Sequence, residues 1–141
     1  MVWWFVVGRT AAAGETVAQQ NGWAEYAAAL GTKIAEVNRA CGSTLTGAFD
    51  KSTYAAFDPL TDRTESACLQ ATGTLSAVCA TDAGKRAVQS LKAVSCRWSS
   101  GGTHASKDGS TLVIDIDPAN SGITGKQAGS YSWKSALEEI L

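Results

Sequence analysis

Asp62-Arg-Thr-Glu65-Ser-Ala-Cys68-Leu-Gln-Ala-Thr72-Gly73-Thr-Leu75-Ser-Ala-Val-Cys79 is the stretch on which the fold turns. Asp62 followed by Glu65 has the form of a capping box, so a helix is predicted from Thr61 or Asp62 to about Cys79. Cys68, Thr72, Leu75 and Cys79 recur at helical spacing and share one face. Cys68 and Cys79 are 11 residues apart. That is about three turns, so they point the same way but sit roughly 16 Å apart along the axis. A disulfide needs Cα atoms within about 7 Å of each other. On a continuous helix these two cysteines cannot bond to each other. Two of the three pairings open to four cysteines survive, and each ties this helix to both Cys41 and Cys96. A break at Gly73 would restore Cys68–Cys79 with Cys41–Cys96; the cross-element pairing is the expectation.

The four cysteines, Cys41, Cys68, Cys79 and Cys96, include no CxxC and no close pair. A zinc site needs close pairs of ligands. Reduced cysteines of a cytosolic protein, packed as small hydrophobes, are the competing reading. An even number of core-facing cysteines points instead to two disulfides and an oxidising compartment, periplasmic or extracellular.

Upstream, Trp23, Ala27, Leu30, Ile34, Val37 and Cys41 form one apolar stripe, which predicts a helix over about 15–40 with Gly42 as its left-handed cap. Leu45, Gly47 and Phe49 alternate with Thr44, Thr46 and Ala48 in a predicted strand over 43–50; residues 51–60 read as an irregular connection. Downstream, Thr81-Asp82 restarts a helix bearing Ala87, Val88 and Leu91, which runs into a strand where Val94, Cys96 and Trp98 alternate with Ser95 and Arg97. Residues 99–107 read as a polar loop, and Asp108-Gly109 as a turn into a strand over 110–117. A Gly/Ser-rich linker, 119–130, leads to a helix capped by Ser132, with Trp133, Ala136, Leu137, Ile140 and Leu141 on its apolar face. The predicted fold is α+β, in the order α-β-α-α-β-β-α. A short three-stranded antiparallel sheet, its last two strands a hairpin, carries helices on one face, and two disulfides brace it.

The 141 residues suit one domain, read as 15–141, and a 45% hydrophobic content is enough for a real core. The apolar start Met1-Val-Trp-Trp-Phe-Val-Val7, with Ala11-Ala-Ala13 behind it, makes residues 1–14 either a signal-peptide remnant or an apolar arm. No apolar run reaches the roughly 20 residues of a membrane span. With 12 basic against 13 acidic residues there is no basic stripe, so nucleic acid is not an expected partner; a protein or cell-surface partner is.

A further pattern comprises Cys41-Gly-Ser-Thr44 leading into a strand that ends Phe49-Asp50, two cysteines on one helix, Gly84-Lys85 with Ala87-Val88, and a cysteine-bearing strand before Lys107-Asp-Gly109. Over residues 23–141 it resembles small exported four-cysteine bacterial proteins of uncharacterised function. In those, an aromatic often follows the aspartate, where this chain has Lys51. The resemblance implies export and disulfides, and no activity.

Candidate chemistry is sparse. His104 is the only histidine, within Gly101-Gly-Thr-His-Ala-Ser106. It reads as a solvated loop residue, although a Ser-His-Asp set with Asp108 can be drawn on paper. Asp115 and Asp117 project from one strand face, a candidate acid–base pair or calcium site, or simply a polar face. Trp98 and Trp133 read as core rather than as a sugar platform, while Trp3 and Trp4 are the aromatics to meet a partner. No phosphate-binding loop is present, because Ser99-Ser-Gly-Gly102 lacks the lysine and the strand-to-helix context. No cofactor and no metal are expected. A binding or interaction module is the leading reading; a small hydrolase using Asp115, Asp117 or His104, and a structural surface component, are the alternatives.

Overall fold

The computed structural model describes residues 15–54, 65–119 and 132–141. The expectations for 1–14, for the irregular connection 51–60 beyond Tyr54, for the start of the second helix at 61–62 and for the linker 119–130 beyond Ala119 lie outside them. The described elements are α1 (Val17–Cys41), β1 (Thr46–Phe49), a 3-10 turn (Lys51–Thr53), α2 (Glu65–Val78), α3 (Asp82–Gln89), β2 (Ala93–Trp98), β3 (His104–Asp108), β4 (Thr111–Ile116) and α4 (Trp133–Ile140).

The first helix follows its sequence signals closely. The Thr16 hydroxyl accepts from the Gln19 N–H at 3.1 Å, and the Gln19 side chain accepts from the Thr16 N–H at 2.9 Å, closing a capping box. Gly42, at φ 66°, ends the helix in the left-handed conformation that glycine adopts without strain. The buried stripe is Trp23, Tyr26, Leu30, Ile34, Val37 and Cys41; Tyr26 takes the inward place predicted for Ala27, which is exposed.

The sheet corrects the predicted one. It has four strands in the order β1-β2-β4-β3 and is mixed, not three-stranded and antiparallel. β1 pairs with β2, and β2 with β4, in parallel; only β3 and β4 are antiparallel. The segment predicted as a loop over 99–107 contains β3. With one more strand between them, β2 and β4 must run the same way, and the true hairpin joins β3 to β4 through Asp108-Gly109, with Gly109 at φ 61°. β3 escapes the pattern because only Ala105 of its residues is buried, while His104, Ser106, Lys107 and Asp108 are polar.

Gly47, Phe49, Val94, Cys96, Leu112, Ile114, Ile116 and Ala105 lie on one side of this sheet by register. Most of them join Leu30, Ile34, Leu75, Trp133 and Leu137 in a single core, so the described helices cover one face, as expected. At one end of the core Trp23, Tyr26, Phe49 and Tyr54 stack edge-on, with ring centroids 5.2–6.3 Å apart. Burial, and after it the charges of Asp50 and Asp115, hold the Tyr54 phenol well above its usual pKa.

The disulfides are Cys41–Cys79 and Cys68–Cys96, with Cα atoms 5.6 and 6.1 Å apart. Cys68 and Cys79 do not bond to each other, as the length of α2 requires. One bond joins the end of α2 to the end of α1, and the other joins its first half to the middle of β2 through the core. Their sequence separations of 38 and 28 residues correspond to about 3.5–4 kcal/mol each by chain entropy.

Thr72, predicted on the inner face of α2, is fully buried, and among the described residues its hydroxyl meets no hydrogen-bond partner. Thr72→Val keeps the shape and removes an unsatisfied polar atom, so it should raise stability by about 1 kcal/mol. The midpoint of urea unfolding checks this; an unchanged or lower midpoint would show that the hydroxyl is satisfied.

Candidate functional site

The polar residues gather on the sheet side facing away from the helices. Alternation along each strand sends Arg97 of β2, Asp115 of β4 and His104 of β3 to that side, and the register sets them in one row: Arg97 opposite Asp115, Asp115 opposite His104. Arg97 grips Asp115 with both prongs, Nε to Oδ1 at 2.8 Å and Nη2 to Oδ2 at 3.2 Å. His104 Nε2 lies 3.2 Å from Asp115 Oδ2. The carboxylate is 7% exposed, against 43% for the Arg97 side chain and 39% for His104. One buried anion therefore holds two half-exposed cationic or hydrogen-bonding tips. The hydrogen bond to Asp115, and then its charge, hold the Arg97 guanidinium above its ordinary range.

His104 is not the solvated loop residue predicted. It opens β3, with Nε2 toward Asp115 and Nδ1 3.3 Å from the Gly102 carbonyl oxygen. Both contacts are acceptors, so an imidazolium donates to each, whereas a neutral ring donates to one. Neither nitrogen is left facing outward as a base.

Asp115 and Asp117 have different partners. Asp117 organises the turn before β3: its Oδ2 accepts from the Gly102 N–H at 3.0 Å, its Oδ1 accepts from the Ala119 N–H at 3.0 Å, and its own N–H donates to the Thr103 hydroxyl at 2.9 Å. Among the described residues no group of three or more His, Cys, Asp or Glu side chains is placed to hold a metal ion. Trp133 is buried in the core, and Trp98 is half-buried against the aromatic cluster. A cleft of about 270 Å3 lies where α2, α3 and α4 meet, lined by Val78, Ala83, Gly84, Ala87, Glu138 and Leu141. It contains neither Asp115 nor His104. Among the described residues no helix is long and apolar enough to cross a membrane.

Sequence reading found Asp115 and His104 but missed Arg97. The signal was there, since Arg97 shares its alternation with Ser95, opposite Val94 and Cys96. It could not be connected to Asp115 while β2 and β4 were paired antiparallel. Comparison with protein-family models, with curated proteins and with solved structures finds no match.

Proposed function

We propose that this protein is a disulfide-braced binding module of the periplasm or cell exterior, with Arg97 as the recognition tip of a polar row that Asp115 and His104 hold in place. The observation that carries the reading is the saturation of the row. Asp115 is consumed by Arg97 and His104, and both His104 ring nitrogens already face acceptors. Hydrolysis needs a base with one nitrogen toward the reacting hydroxyl, whereas recognition needs side chains held rigid in advance. Nε and one Nη2 proton of Arg97 are spent on Asp115, which leaves the Nη1 edge to meet a carboxylate or phosphate on a partner. The two disulfides and the resemblance of the chain to exported four-cysteine proteins support the address.

Acetate and inorganic phosphate titrated into 15N-labelled protein should shift the backbone amide resonances of residues 97, 104 and 115, which the register sets in one row, saturably. Arg97→Lys, which keeps the charge but not the fork, should lose most of that response. The opposing result is a row that ignores both anions, together with esterase or phosphatase turnover that His104→Gln abolishes. That would make the protein a hydrolase.

A further inference from the structure

The geometry points to a second binding surface, distinct from the Arg97 row: the open edge of β1 takes an added strand, an extended and uncharged peptide segment of a partner protein. β1 is an outer strand of the sheet. Thr46 and Asp50 donate their N–H groups to the carbonyls of Lys92 and Cys96, 3.1 and 2.8 Å away. In a parallel ladder every second residue pairs inward, so Thr46, Ala48 and Asp50 face β2, while Gly47 and Phe49 present N–H and C=O outward. Among the described residues no hydrogen bond closes those four groups. By contrast, Leu45 is already closed off: Asn38 donates from Nδ2 to its carbonyl at 3.0 Å and accepts its N–H on Oδ1 at 2.8 Å.

The edge carries none of the usual protection. Thr46-Gly-Ala-Phe49 has no charge, no proline and no bulge, and Thr46, Gly47 and Ala48 are exposed. The flank of α1 above it is built of small residues. Ala24, Ala28, Gly31, Ala35 and Asn38 follow one another at spacings of four, three, four and three, and the first four are exposed. Asn38, the last of the row, is the side chain that reaches Leu45, so the row borders the β1 edge. A Cβ on Gly31 would meet nothing within 4 Å. Backbone along one wall and small side chains along the other leave room for alternate side chains of an incoming strand, the arrangement by which strand addition reads peptides.

The occupant is a lone segment rather than a second copy. A Cβ on Gly47 would come 2.9 Å from Ile34 Cγ1 and 3.2 Å from Leu30 Cγ, so α1 lies directly over β1. Pairing β1 with its own copy would set two such helices near the strand spacing of about 4.8 Å. Packed helices stay about 8 Å apart or more. Asn38 bounds the groove at one end and the Glu15–Lys51 ion pair, at 3.3 Å, at the other, which suits a stretch of about five residues. With that ion pair closed on itself and the edge uncharged, nothing in the groove rewards a charged ligand.

The test is selection from a random heptapeptide phage library against the full chain, followed by NMR hydrogen exchange with the synthesised winners. Enrichment of uncharged, proline-free sequences rich in Val, Ile and Thr is expected. Those peptides should slow exchange at the Gly47 and Phe49 amides, and backbone N-methylation should abolish their binding. Gly31→Leu, which fills the flank without touching the core, should weaken binding about tenfold or more, while Arg97→Lys leaves it unchanged. No enrichment, protection elsewhere on the surface, or equal binding of N-methylated peptide overturns the proposal. Protection of Gly47 and Phe49 without added peptide overturns it too: if concentration-dependent it makes the occupant a second copy, and if not, the chain itself. The Arg97 row is read by its own anion titration, so either site can fail alone.

Discussion

The double variant Cys68→Ala/Cys96→Ala is expected to lose about 4 kcal/mol of unfolding free energy. Its native bond spans a sequence separation of 28 residues, and by chain entropy its removal frees roughly 3.5 kcal/mol of denatured-state disorder. Both cysteines are fully buried, so the loss of their sulfurs also leaves a void in the core they share with Ile114 and Leu75. A domain of this kind is stable by about 5–15 kcal/mol, so the loss is a large share of the whole. Urea unfolding followed by tryptophan fluorescence measures it, and a midpoint equal to that of the unmodified protein would rule out a bracing role. The two bonds should also differ in access. Cys79 is partly exposed, whereas Cys68 and Cys96 are sealed. Limited reduction with alkylation should therefore label Cys41 and Cys79 first. Labelling of all four thiols in unreduced native material would remove both the braces and the argument for an oxidising compartment.

Gly84→Ala should cost about 1–3 kcal/mol, against the usual rule for helices. Gly84 sits in the first turn of α3, its N–H donating to the Thr81 hydroxyl at 3.1 Å. A Cβ there would overlap the Val78 carbonyl oxygen at the end of α2. That obstacle is backbone, so relief requires the α2–α3 corner beside Cys79 to move. Gly31→Ala is the matched control: in the exposed middle of α1, with open space around it, alanine should add about 1 kcal/mol. Opposite signs in urea unfolding of the two variants are the expected result. A gain at both positions would mean that the corner yields freely.

Helices were legible in this chain and sheet order was not, for a physical reason. The stripe from Trp23 to Cys41, the Thr81-Asp82 restart and the glycine stop at 42 are written within a few residues of where they act. Strand order depends on contacts between distant segments. β3 adds to the difficulty, because its Ser106, Lys107 and Asp108 carry the composition of a loop and Ala105 alone betrays a buried face. Missing it reversed β2 relative to β4 and hid Arg97 from Asp115. Cysteine geometry was partly legible: 11 residues of helix forbade Cys68–Cys79, but only the packing of α2 decides which end meets Cys41. The edge at Gly47 and Phe49 was only half legible: the uncharged run Thr46-Gly-Ala-Phe49 is plain in the sequence, but which of its backbone groups face away from β2 follows from a parallel pairing that was not foreseen.

The order of the sulfur bonds along the chain has a mechanical consequence. Cys41 is joined to Cys79 and Cys68 to Cys96, so the two covalent loops interleave. A pull on the ends of the polypeptide would travel from residue 41 straight to 79, backwards along the helix to 68, and out through 96. Only the stretch from Cys68 to Cys79, a separation of 11 residues, lies in that load path. Under tension the region can thus reach a span of only about 40 Å, where an uncrosslinked chain from 41 to 96 would reach about 200 Å.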